Sequence, residues 1–414
     1  MTEPPPFRRG EPSPLVFHLG AALSAYAQAL LAAPRADAAD FPWSPHLADA
    51  AAALGPDLDR FEVAREIGAR LSATVRGIEI WQTHPYRRSL VDPPTIWRAG
   101  AARLLDFGAA PEATAPDGPP VLVAPSLINR SYVLDLAPRW SMLRWLASEG
   151  LRPVLLDWGA PGREEAGFGL DDYGARRLLP ALRHLRELSG RPVAVMGYCM
   201  GGTLAAGLAA RAPDGISALA TIGAPWDFAS TRGVAGSLRT MIRAQGPARI
   251  ARQIDALGEA FGLAPVSVFQ MLFALVNPMQ AAIKFQKLAR LDPASAAARH
   301  FVALEDWLAD GIPMAAPAAR DLLIDWQIHN VTAAGAWRFL GGPVNLGAIR
   351  TPTLAFCGIK DSIAPPALAF ALPAGIPGAE VAQPRTGHVG MVVGSAARAQ
   401  VWRPMAAFLH AHAG

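Results

Sequence analysis

Cysteine is almost missing from this chain: 414 residues contain two, Cys199 and Cys357. Two thiols build neither a disulfide framework nor a zinc site, so a reducing, cytoplasmic setting is the simpler expectation, with no metal and no redox cofactor. Charge is scarce as well. Only 17% of residues are charged, the net charge is +4, and no Lys/Arg-rich run stands out. That argues against nucleic acid as a partner. The opening MTEPPPFRRGEPSP is Pro-rich and polar, reads as a tail, and lacks the basic-then-apolar order of a signal peptide. A clean membrane-length run is absent too. The longest uncharged stretch, residues 262–283, is broken by Pro265, Gln270, Asn277, Pro278 and Gln280. It therefore reads as a buried or surface-seeking helix rather than a transmembrane span of about 20 apolar residues. What is plentiful is apolar side chain, 51% of the total, enough for one large elaborated domain or two modest ones.

Rhythm divides the chain. Residues 1–115 read as a helical N-terminal extension, with LVFHLGAALSAYAQALLAA apolar at helical spacing. His18, His46 and His84 are isolated there and form no cluster. After the linker APEATAPDGPP, short apolar runs alternate with helical patterns: PPVLVAPS, LRPVLLDWG, RPVAVMGYC and ISALATIGAPWDF read as strands. This first part of an α/β core covers 116–230. Residues 231–344 are mostly helical and read as a cap. Residues 345–414 resume the core with strands in IRTPTLAFCGIKD and AEVAQPRTGHVG and a closing helix. The alternation predicts an α/β fold with a mainly parallel sheet. The cap falls at the C-terminal edge of its strands, where ligands bind in open α/β sheets.

Between the third strand and the next helix stands Gly197-Tyr198-Cys199-Met200-Gly201-Gly202. Small residues flanking a central nucleophile allow a sharp strand-to-helix turn that lifts the nucleophile above the sheet. The helix N-terminus favours a thiolate at Cys199, and the next N–H, that of Met200, is a candidate oxyanion donor. A second donor is expected from the loop after the first core strand, at Leu127 or Ile128. The turn alone also fits a packed bend around an inert thiol. A nucleophile needs a base, and the base an orienting acid, in the chain order nucleophile, acid, histidine. Asp361 follows a strand in CGIKDSIAP and His388 follows the last strand in TGHVG, which satisfies that order. Asp157 and Asp227 also follow strands but come earlier in the fold and rank lower. His329 sits in the cap and Cys357 inside an apolar strand, both read as structural.

The stretches VLVAPSLINRSYVLDL, LLDWGAPG, LDDYGARRLLPALRHL, MGYCMGG and GAPWDF, followed by LEDWLADGIPMA, VNLGAIRTPTLAFCGIKDSIAPP and TGHVGMVVG, resemble the polyhydroxyalkanoate synthases, the class III catalytic subunit above all. The likeness runs from about Pro119 to the C-terminus. It implies an α/β-hydrolase fold with a cap. It also implies polymerisation of (R)-3-hydroxyacyl-CoA into polyester with release of CoA, and a catalytic set matching Cys199, Asp361 and His388. No cofactor beyond the CoA thioester substrate is implied. The partners it implies are the polyester chain and a second copy or a second synthase subunit, at the surface of polyester granules in the cytoplasm. Ser362 stands where the family commonly has histidine after its aspartate.

Chemistry supports acyl transfer independently. Cys199 attacking a thioester makes another thioester, so the acyl group stays activated for the next hydroxyl. Phe261, Phe269, Met271, Phe273 and Phe285 in the cap are candidates to exclude water, and each fits equally well as simple packing of the cap. Arg130, Arg144 and Arg232 are candidate phosphate contacts, with solvated surface cations as the simpler reading. The alternatives are a hydrolase with the same triad, either an intracellular polyhydroxyalkanoate depolymerase or an acyl-CoA thioesterase, and a non-catalytic granule-surface protein.

Overall fold

The computed structural model describes residues 9–32, 59–230, 233–276 and 278–413. The expectations for residues 1–8, His46 and Arg232 lie outside them. The chain forms two compact units, one from residues 88–268 and 306–414, the other from 1–87 and 269–305.

The first unit is built on strands β1 (Thr95–Ala99), β2 (Ala102–Asp106), β3 (Pro120–Ala124), β4 (Arg152–Asp157), β5 (Val193–Tyr198), β6 (Ile216–Ile222), β7 (Thr353–Phe356) and β8 (Glu380–Ala382). They form one sheet in the order β1-β2-β4-β3-β5-β6-β7-β8. From β4 to β8 all pairs are parallel. β3, β5 and β7 are buried along their whole length, which is why they read as unbroken apolar runs rather than alternating ones. The parallel order brings the ends of β3, β5, β6 and β7 to one edge.

β1 and β2 correct the expected N-terminal extension, because residues 95–106 are strands of the main sheet. They form an antiparallel hairpin, and β2 pairs antiparallel with β4. Gly100, at φ 53°, makes the turn, and the N–H of Ala101 is held by the buried carboxylate of Glu165. Leu104 and Leu105 are both buried. The division of the chain therefore falls at 87/88 instead of 115/116.

The second unit contains helices Leu15–Ala32, Arg60–Thr83, Gln280–Leu288 and most of Ala296–Ala309. Ile78, Trp81, Phe285, Leu288, Ala298 and Val302 form its core. A Cβ on Gly77 would collide with the carbonyl of Phe285, so glycine there allows close helix approach. The stretch expected to be one cap, 231–344, is thus shared between units. Phe285 is spent in this core against Trp81 and Phe301, and Phe261 in the first unit is 68% exposed. The uncharged run 262–283 is not one helix. It is divided into a two-residue strand and helices Val266–Val276 and Gln280–Leu288. Among the described residues, Leu15–Ala32 is the helix long and apolar enough to cross a membrane, judged by length and composition.

Candidate active site

Cys199 stands between β5 and the helix Met200–Arg211 with φ 55° and ψ −129°. A side chain there costs of order 1–3 kcal/mol, so the surroundings must enforce it. The N–H of Cys199 donates to the carbonyl of Ile222 and its carbonyl accepts from Gly202, both at 2.8 Å. A Cβ on Gly197 would collide with the Gly202 backbone, and one on Gly201 with the carbonyls of Ala124 and Pro125. Two bare Cα positions therefore let the helix start press against the ends of β3 and β5. The thiol is left partly exposed.

Asp361 lies just beyond β7 and His388 just beyond β8; both side chains are buried. Asp361 Oδ1 accepts the N–H groups of Ile363 and Ala364 at 2.8 Å each. Oδ2 lies 2.6 Å from His388 Nδ1. The imidazole packs against the Tyr198 ring, tilted by 36° with 5.2 Å between centroids. Gly223, at φ 57°, lies so close that a Cβ would sit 2.9 Å from the ring's Nδ1 and Cε1. His388 Nε2 is buried, and the Cys199 sulfur is the group whose interaction helps hold the ring's proton. Burial by itself would push the ring toward neutrality. The negative charges of Cys199 and Asp361 outweigh it and raise His388 to about 10. The ring therefore holds its proton through neutral pH. Cys199→Ala removes one of the two anions, so the His388 midpoint should fall, as followed by NMR of its Cε1 proton across pH 5–11. An unmoved midpoint would mean that the two groups are not coupled.

The competing acids are committed elsewhere. Asp157 pairs with Arg103 at 2.9 Å and accepts from Ser131. Asp227 accepts from Ala229 and Asn330. His329 is exposed. Ser362 uses its carbonyl to accept the N–H of Val234 at 2.7 Å. Cys357 is 2% exposed, and burial, with the charge of Asp361, pushes its thiol up to about 12. At pH 7.5 iodoacetamide should therefore label Cys199 and leave Cys357 unmodified in the folded protein. Peptide mass mapping reads the outcome, and equal labelling would contradict this environment.

For the oxyanion donors, Met200 opens its helix, so its amide is one of the donors without an intrahelical partner. In the loop after β3, the N–H of Ile128 is already donated to Ser126 Oγ at 3.3 Å. Leu127 is buried, and among the described residues its amide has no such commitment, which favours it over Ile128. The Trp158 indole N–H fixes the start of this loop on the carbonyl of Pro125. Two candidate phosphate contacts are spent on carboxylates: Arg144 is buried against Asp135 and Glu112, and Arg130 pairs with Asp310 at 2.7 Å. Among the described residues, no group of three or more His, Cys, Asp or Glu could hold a metal ion.

Sequence reasoning missed Tyr198 and Gly223. The signals were present: an aromatic inside the turn motif and a glycine straight after β6. Gly223→Ala adds strain at a left-handed φ and pushes the imidazole. Since a 1 Å misplacement costs about 10²-fold, any reaction of Cys199 that uses His388 should slow by roughly that factor. Turnover within twofold of wild type would show that the ring tolerates the shift.

Residues 119–395 match the family model described as alpha/beta hydrolase fold. The chain is also similar to curated proteins named poly(3-hydroxyalkanoate) polymerase subunit PhaC. It is 30% identical to that of Haloferax mediterranei over 311 residues, covering 74% of this chain and 61% of the relative. To that of Haloarcula marismortui it is 29% identical over 291 residues, covering 69% and 60%. To that of Allochromatium vinosum it is 26% identical over 295 residues, covering 69% and 80%. The chain thus spans 61% and 60% of the length of the two haloarchaeal relatives.

Proposed function

This chain belongs to the α/β-hydrolase family, and we propose that within it the chain is an acyltransferase, a polyester synthase that joins (R)-3-hydroxyacyl groups delivered as CoA thioesters. The observation that carries the reading is a cysteine, not a serine, at the strained turn beside a bonded Asp361–His388 pair. The similarity to polymerase subunits supports the substrate class.

The steps follow from the groups present. The Cys199 thiolate attacks the thioester carbonyl, and the oxyanion is met by the amides of Met200 and Leu127. The carbon–sulfur bond to CoA breaks as a new one to Cys199 remains. His388 gives its proton to the departing CoA sulfur and becomes a neutral base. It then takes the proton of a 3-hydroxyl from another hydroxyacyl unit. That oxygen attacks the acyl-enzyme, an ester forms, and the Cys199 thiolate leaves beside a reprotonated His388. Asp361 keeps Nδ1 as the donor throughout. A working free thiol calls for a reducing compartment, so the reading extends to the cytoplasm. The growing apolar polyester, and a second copy or second subunit, are the partners it calls for.

The test is incubation of the purified protein with (R)-3-hydroxybutyryl-CoA, following free thiol and sizing the product. CoA release with insoluble polyester is the expected result. Release with free hydroxybutyrate alone would make the protein a thioesterase-like hydrolase. No release, with or without a second synthase subunit, would overturn acyl transfer from CoA.

A further inference from the structure

The loop 125–130, which carries Leu127, is pinned at its far end by a segment more than 170 residues away in sequence. The Trp307 indole N–H donates to the carbonyl of Arg130 at 2.8 Å. Asn129 and Gly311 form an antiparallel β-bridge. Arg130 Nε meets Asp310 Oδ1 at 2.7 Å. Trp307 is 4% exposed, so its bond is made in a largely dry place and loss of the donor would strand the carbonyl. The Arg130–Asp310 pair is about half exposed and by energy alone is worth little. Its value is directional, because it fixes the same residue whose carbonyl Trp307 holds. With Trp158 on the carbonyl of Pro125 at the near end, Leu127 and Ile128 sit on a short span clamped at both ends.

We propose that Trp307 and Asp310 are positioning residues that clip the 125–130 loop so that the Leu127 amide meets the oxyanion formed on Cys199. The inference rests on the acyl-transfer reading of the site. An oxyanion donor works only within a few tenths of an ångström, at about 2.7–3.1 Å, and losing one costs about 10²–10³-fold. Loosening one end of so short a span moves its middle by more than that tolerance. Neither Trp307 nor Asp310 touches the reacting atoms, so neither is a catalytic residue. Trp307 acts through the backbone carbonyl of Arg130 and Asp310 through its guanidinium.

Two reactions of the same thiol separate positioning from general damage. Alkylation of Cys199 by iodoacetamide is a displacement at saturated carbon and develops no oxyanion. Acylation by a thioester, or by p-nitrophenyl acetate, passes through one. In Trp307→Phe, which keeps the ring but removes the N–H donor, the acylation rate should fall tenfold or more while alkylation stays within twofold. KM should change little against kcat. Asp310→Asn should move acylation in the same sense by a smaller factor, and it serves should Trp307→Phe fail to fold. Acylation within twofold of wild type in both variants would overturn the clip. So would equal losses in alkylation and acylation, which would mean that the whole turn had been disturbed. A wild-type protein that is acylated by p-nitrophenyl acetate but never by an acyl-CoA would refute the proposed substrate and leave the clip testable with the ester.

Discussion

Cys199→Ala is expected to cut CoA release from (R)-3-hydroxybutyryl-CoA by about 10⁴-fold or more. Nucleophile, base and orienting acid act as one unit, so removing the nucleophile forfeits nearly all they supply together. Alanine keeps the Cβ and fits wherever Cys199 fits, including the strained φ of 55°, so the melting temperature should change little. A retained fold with lost turnover separates chemistry from stability. Cys199→Ser sharpens the point. Serine can still form a covalent bond to the acyl group, but as an oxygen ester, which gives up the activation that a thioester carries to the next hydroxyl. Mass spectrometry of the serine variant after exposure to substrate should show acyl-enzyme that persists, with little product. Wild-type turnover in the alanine variant would end the covalent mechanism outright.

The parts legible in the sequence are those fixed by local spacing. The turn at Cys199 needs bare Cα positions at 197 and 201 whatever surrounds it, because the helix start must pass the carbonyl of Ala124. Asp361 and His388 were legible since each follows a strand, and parallel strands deliver their ends to one edge. Other features depend on partners distant in sequence. Residues 95–106 read as helical among Ala-rich neighbours, yet pairing with β4 makes them strands; tertiary context overrode propensity. Phe285 reads as a cap side chain, but apolarity does not say what it packs against, and its partner is Trp81 in the core of the second unit. Arg144 reads as a surface cation until Asp135 and Glu112 fold around it. Leu127 and Ile128 could not be told apart because the direction of an N–H is a property of the backbone dihedrals. The hydroxyl of Ser126, two residues before Ile128, takes up the Ile128 N–H, which leaves Leu127 the favoured candidate.

Asp361→Asn should cost about 10⁴-fold in turnover with the fold kept. The carboxylate uses both oxygens as acceptors: Oδ1 for two backbone N–H groups, Oδ2 for the imidazole. An amide has one acceptor, so one of those arrangements must fail. If its oxygen stays with Ile363 and Ala364, its NH₂ faces Nδ1, which must then be unprotonated. The proton moves to Nε2, and the ring can no longer take one from an incoming hydroxyl. If the amide turns over, its NH₂ meets two backbone donors in a buried place, which costs more. The first arrangement should therefore prevail, with a wrong tautomer and intact packing. The variant also removes one of the two anions that hold His388 up. Burial then has less to overcome, and the His388 midpoint should move down from about 10. Two effects thus arrive together, lost orientation and lost charge, and Asp361→Glu separates them. Glutamate keeps the anion near the ring but shifts the acceptor by one methylene. Its His388 midpoint should therefore stay higher than in the asparagine variant, while turnover should still fall. Asparagine at wild-type turnover would leave Asp361 a structural brace and move the search for the orienting group elsewhere.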